Sequence, residues 1–256
     1  MEWAVNEMID NIQVHAQASS PGMVSAQYYP NGHYLDVSIC DMGRGIKSSL
    51  SEAEPLSGHQ EAIGRAMERG VTRNKDIGAG NGLAGSLEIT RLNRGDLHIW
   101  SGDAHFKLNI GREQRFEKIP VVPGTGVHLR LYAQNPVDLT DTFIADDSGW
   151  SYLVAEGERI SEAGGLRVVE ECIHTGSRQV ATPLKNKIMN LLPDYENVLI
   201  LDFDGVESAS SSFNDELLGK LAGELGEAAI IQQIKLVNIK PVLEKMANVA
   251  IYNRLK

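Results

Sequence analysis

Glu7 and Asn11 stand four residues apart, so on a helix they share one face. A carboxylate beside a carboxamide suits work on a metal-bound triphosphate. The acid can orient or deprotonate an attacking water, and the amide carbonyl offers a neutral oxygen of the kind magnesium accepts. Further on, Asp41-Met42-Gly43-Arg44-Gly45-Ile46 closes the alternating run of residues 34–40 with a D-x-G-x-G turn. An acid at the end of a strand, followed by two glycines, puts a carboxylate where a flat base could donate to it and lets backbone approach closely. Gly78-Ala79-Gly80-Asn81-Gly82-Leu83 offers free amides to anionic oxygens, and a helix over residues 83–92 would turn its N-terminus toward the same anion. Gly124-Thr125-Gly126 then leads into the alternating residues 127–131.

In this order the four segments resemble the nucleotide boxes of the GHKL superfamily of ATP-binding proteins, which includes gyrase, the ninety-kilodalton heat-shock chaperone, histidine kinases and MutL. Those boxes are an E-x-x-x-N helix, D-x-G-x-G, a glycine-rich lid and a late G-T. The resemblance covers about residues 1–132. It implies a Bergerat α/β sandwich, helices on a mixed sheet, with ATP and magnesium as ligands. Glu7 would be the catalytic residue and Asn11 the magnesium ligand. Asp41, Gly43, Gly45 and Thr125 would hold the adenine end, and Gly78, Gly80, Gly82 and Leu83 the phosphates. Family members usually carry a strand or helix ahead of the first box. Here the chain opens directly into it, which implies either a late start, with Met1 not the true beginning, or an edge supplied by a neighbour.

The elements that must position these residues are legible in the hydrophobic period. Trp3, Val5, Met8, Ile9 and Ile12 recur at helical spacing. Residues 23–29 read as a strand, turned by Pro30-Asn31-Gly32 into the strand that ends at Asp41. Residues 55–70 read as a helix, and residues 72–82 as a mobile lid. Strands are expected over 97–100, 106–110 and 127–132, with a turn at Gly102-Asp103. The segment Gly80-Asn81-Gly82-Leu83-Ala84-Gly85 also fits the dinucleotide pattern G-x-G-x-x-G. That fold needs an apolar strand before the first glycine, and Arg73-Asn74-Lys75-Asp76 stands there instead.

Composition narrows the remaining classes. With 24 basic against 34 acidic residues, a net charge of −10, the chain lacks the basic tract of a general nucleic-acid binder. Cys40 and Cys172 are too few for a disulfide scaffold, and the seven histidines are too scattered to read as a metal site. With neither a signal peptide nor a membrane-spanning run of about 18 apolar residues, a cytoplasmic location is expected.

Residues 133–165 are acidic and rich in turn formers, and read as a connector. Beyond it, residues 166–256 alternate strand and helix, a second and smaller α/β domain. Asp202 to Phe213 resembles the D-x-S-G-V-x-x-x-D-S-S-G segment of STAS domains, the anti-sigma-factor antagonists. It resembles still more the STAS-like domain of unknown function found joined to GHKL ATPases. Ser212 aligns with the serine that a GHKL kinase phosphorylates in those antagonists, although Ser210 replaces the acid of the pattern and Phe213 its glycine. The other reading of the serines is a helix cap. Two function classes therefore stand. One is a magnesium-dependent ATPase, or a serine kinase, of GHKL type. The other is a nucleotide-dependent switch whose STAS-like half binds a protein partner with little turnover.

Overall fold

The computed structural model describes residues 2–68, 71, 82–109, 111, 114–138, 153–154, 165–194 and 198–256. They fall into two units, Met1–Thr142 and Phe143–Lys256, both α/β.

In the first unit, helix α1 (Glu2–Asn11) runs on through a π-helical turn, Ile12–Ala16, and stops where Gln17 takes a left-handed backbone. Strands β1 (Met23–Tyr29) and β2 (Tyr34–Asp41) form the expected hairpin. Its left-handed residue is His33 (φ 50°), not a member of the Asn31-Gly32 pair. Helices α2 (Gly45–Leu50), α3 (His59–Ala66) and α4 (Gly82–Asn93) follow.

The chain then returns as one long hairpin, β3 (Asp96–Leu108) and β4 (Arg115–Tyr132). The turn expected at Gly102-Asp103 is a bulge inside β3 instead. Gly102 has φ 61°, and the His59 ring lies 2.3 Å from where its Cβ would stand, so the glycine bends the strand under α3 without reversing it.

The sheet order is β1-β2-β4-β3, with every pair antiparallel. Strand direction is therefore mixed over the whole molecule, since the second unit is parallel, but not within either sheet. Alternation puts rows of apolar residues on one face. Val37, Leu129 and Leu97 pair in line, as do Ile39, Val127 and Ile99, and all six are buried where helices pack on that face.

The second unit carries three parallel strands in the order β5 (Gly165–Arg167), β6 (Leu199–Asp202), β7 (Ile234–Val237). Parallel neighbours need crossover segments. These contain α5 (Val168–Glu171) and α6 (Arg178–Leu191) between the first pair of strands. The helical part of the second crossover begins at Ser211 and is interrupted only at Gly226 (φ 81°), which separates its last two helices. It consists of α7 (Ser211–Asn214), a π-helical turn (Asp215–Gly219), α8 (Lys220–Leu225) and α9 (Glu227–Gln233). Helix α10 (Pro241–Leu255) ends the chain, with Pro241 in its first turn, where a missing N–H is tolerated.

The core of this unit gathers Leu184, Ile188, Leu199, Leu201, Phe213 and Leu236. Asp215 is buried beside it but paired, accepting from Arg254 at 2.8 and 2.7 Å with Arg178 at 3.5 Å. Among the described residues no helix is long and apolar enough to cross a membrane.

Candidate functional site

Helices α1 and α4 meet through glycines. A Cβ on Gly85 would lie 2.3 Å from the Trp3 ring, and one on Gly82 would lie 2.9 Å from Glu7 Oε2 and 3.4 Å from Asn11 Nδ2. Positions rise along α1 as they fall along α4, so the two helices run antiparallel, and the E-x-x-x-N pair sits at the start of α4. Glu7 is only 4% exposed, so the solvated surface residue that its type would suggest is not what the helix presents. Asn11 is half-buried beside it. An acid in this position also faces the positive end of the α4 dipole.

The D-x-G-x-G turn is clamped to the end of the same first helix. The amide of Arg44 donates to the Ala16 carbonyl at 2.9 Å, and Arg44 Nε donates to the His15 carbonyl at 3.1 Å. Gly43 makes this possible, because its Cβ would stand 2.2 Å from the Ala16 oxygen. Arg44 also pairs with Glu52.

Asp41 closes the inward-facing series Val37, Ile39, Asp41 on β2, and its neighbours in register are Thr125 on β4 and, beyond that, Ser101 on β3. A polar row therefore caps the two apolar rows at this end of the sheet. Asp41 is 8% exposed. Its Oδ1 accepts the Gly43 amide at 2.7 Å. A carboxylate has acceptor capacity on both oxygens, so Asp41 can take a further donor besides the turn amide.

Ser101 was not singled out in the sequence. It is 1% exposed, accepts the Ile46 amide at 2.9 Å and donates to the Gly124 carbonyl at 3.1 Å, so one hydroxyl ties the first turn of α2 to the late glycine box. The only signal for it was the continued alternation Leu97, Ile99, Ser101. Gly45 (φ 75°) and Gly124 (φ 68°) flank this hydroxyl with left-handed backbone, and a Cβ on Gly124 would stand 2.0 Å from the Asp41 carbonyl oxygen.

The structure thus brings Glu7 and Asn11 to Gly82 and Leu83 at the start of α4, and brings Asp41, Gly45 and Thr125 to one end of the sheet. Gly78, Gly80 and the rest of the expected lid before Gly82 lie outside the described residues, as does most of the expected connector.

In the second unit, Ser210 is the serine of the cluster that caps the helix. Its Oγ accepts the Phe213 amide at 3.0 Å, and the helix begins at Ser211. Ser212 lies in the first turn, half-buried. Asp202 accepts the Asp204 amide at 2.9 Å and the Asn238 amide group at 2.8 Å, which shapes the end of β6 ahead of the serines.

Residues 180–244 match the family described as the STAS-like domain of unknown function. The second unit therefore carries a STAS-like domain, and the matched segment, from α6 into the first turn of α10, includes Ser210, Ser211 and Ser212. None of the curated proteins matches the chain significantly.

Proposed function

We propose that the first unit binds Mg-ATP and hydrolyses it, as the nucleotide-dependent part of a regulatory protein whose STAS-like domain contacts a protein partner. The observation that carries this reading is the convergence of boxes that are distant in sequence: Glu7 and Asn11 meet the start of α4, and the turn holding Asp41 is hydrogen-bonded to the end of the same first helix. Both ends of a nucleotide find complementary chemistry. The carboxylate of Asp41 suits the amino group of adenine, with Thr125 its neighbour in register, while Gly45 lets the turn pack closely on Ser101 and Gly124. The start of α4 suits phosphate oxygens.

Among the described residues no group of three or more His, Cys, Asp or Glu side chains could hold a metal. Asn11 would therefore hold magnesium together with phosphate oxygens and water, which is how that ion is commonly bound. When bound, the ion would neutralise the charge of the phosphates. Glu7 would orient a water and take its proton.

A serine kinase acting on Ser212 is a second reading, favoured by the position of that residue in a first helical turn, where a phosphate is electrostatically tolerated.

Phosphate release from Mg-ATP by the full chain tests the proposal. Glu7→Gln should keep nucleotide binding and lose turnover on the order of 100- to 10,000-fold, while Asn11→Ala should lose the magnesium-dependent part of binding. ATP binding by the parent without release of phosphate would leave the switch. Label transferred from ATP to Ser212, mapped by mass spectrometry, would make the protein a kinase.

A further inference from the structure

The two edges of the first sheet are treated differently. The β3 edge is broken by a bulge and carries Asp96, Asp103 and Lys107, devices that discourage strand addition. The β1 edge has none of them. Met23-Val24-Ser25-Ala26-Gln27-Tyr28-Tyr29 contains no charge, proline, glycine or bulge, and pairs with β2 without a shift along all seven residues. Pro21 and Pro30 bracket it. Six of the seven residues are exposed, including Met23 (67%), Val24 (49%) and Tyr28 (50%).

Register makes the exposure specific. Val24 pairs with Ile39, Ala26 with Val37 and Tyr28 with Leu35, so these three β1 residues lie on the same face as the buried core rows yet are exposed. The hydrogen-bonding edge beyond them has no partner strand among the described residues.

We propose that β1 is a self-pairing edge, and that two copies of the chain join antiparallel through it into a continuous sheet with four strands from each copy. The sequence of the strand is complementary to its own reverse. With the two-fold axis through Ala26, Met23 faces the partner's Tyr29, Val24 faces the partner's Tyr28, Ser25 faces the partner's Gln27, and Ala26 faces itself. Aliphatic meets aromatic, polar meets polar and small meets small, the pairings that stabilise neighbouring strands. Because each copy offers one such edge and the other edge is protected, the contact closes as a dimer and does not propagate.

The full chain, measured by sedimentation over a wide range of concentrations, should pass from monomer to dimer. Ala26→Lys should raise the dimer dissociation constant about tenfold or more by setting two like charges on the axis, with an unchanged circular dichroism spectrum, since Ala26 is exposed. In a Cys40→Ser background, Ala26→Cys should form a disulfide-linked dimer under mild oxidation, because directly opposed strand residues lie within disulfide reach. The same change at Ser48, exposed at the distant α2, should not. A monomer at every concentration, a dimer unaffected by Ala26→Lys, or equal cross-linking at Ser48 would each overturn the proposal. These readouts need no nucleotide, so they stand apart from the fate of the ATPase reading.

Discussion

Asp41 ends its strand with one oxygen holding the turn, and its carboxylate can accept a further donor, which makes it a sharp target. Asp41→Asn can keep the Gly43 contact through its carbonyl, but it then presents an amide donor to the adenine amino group. A hydrogen bond to a charged group is worth about 1.5 to 3 kcal/mol, so ATP affinity should fall roughly 10- to 150-fold, read by calorimetry in magnesium. GTP, with a carbonyl at the same place, should bind poorly to the parent. Asp41 was singled out because its turn stands in order among four boxes; an acid before two glycines is by itself common in turns. Ser101, its neighbour but one in register, was not, because a serine in an alternating run carries no signal until β3 and β4 pair. The histidines show the same limit. His98 and His128 are scattered in the chain but stand opposite each other in register, and the His105 ring lies 5.2 Å from His98 and stacks on Trp100 at 4.7 Å. Burial, with Lys107 and His98 adding to it, pushes the His105 pKa down to about 4, and the side chain is 7% exposed. The neutral ring is therefore the native form. As pH falls below about 6.5, unfolded chains bind a proton that the folded chain refuses, so stability is lost progressively between about pH 6.5 and 4, by roughly 3 kcal/mol at most. In urea titrations across that window His105→Phe should flatten the dependence. A slope equal to that of the parent would assign the acid sensitivity to other groups.

At the scale of elements, the glycines that fit G-x-G-x-x-G have a different use. Gly80 lies outside the described residues, while Gly82 and Gly85, three apart on α4, face α1 and let Glu7 and Trp3 come in against the helix. A packing seam between two helices and a nucleotide fingerprint share this spacing, and a string of residues cannot tell them apart. Only the missing strand before the first glycine could. Gly85→Ala separates the two demands. In an exposed helix this change stabilises by about 0.5–1 kcal/mol. Here the added methyl would stand 2.3 Å from a ring that is itself buried, so the change should destabilise by about 1–3 kcal/mol in denaturant unfolding. It should also weaken ATP binding, because α1 carries Glu7 and Asn11 away from the start of α4 as it moves. A stabilised Gly85→Ala variant with parental affinity would show that the seam has slack. The long β3–β4 hairpin was missed for a related reason. Gly102-Asp103 has the composition of a turn, and only the ring of His59 packed above it explains why the strand bends there without ending.

At the scale of the whole molecule, the change from an antiparallel to a parallel sheet follows from the sequence itself. The first unit joins β1 to β2 and β3 to β4 by short loops, whereas every connection within the second unit's sheet contains helix, as parallel pairing requires. Alternation of strand and helix over residues 166–256 made that half readable. The direction of the first sheet was not, because helices intervene between β2 and β3 and pairing across that gap is fixed only by the register of β4 with both. Each unit has its own set of buried rows, and the candidate nucleotide site is built from residues of the first alone. Ligand binding stabilises the state that binds it, by about 2.7 kcal/mol at a hundred times the dissociation constant. In scanning calorimetry, a non-hydrolysable ATP analogue with magnesium should therefore raise the transition belonging to the first unit, by an amount on the order of 5–10 °C for a unit of this size. The transition of the STAS-like unit should move less. Asp41→Asn should abolish most of the rise at the same analogue concentration. Equal movement of both transitions would mean that nucleotide occupancy is transmitted to the STAS-like domain, the coupling a switch requires. No movement of either would remove nucleotide binding from this protein.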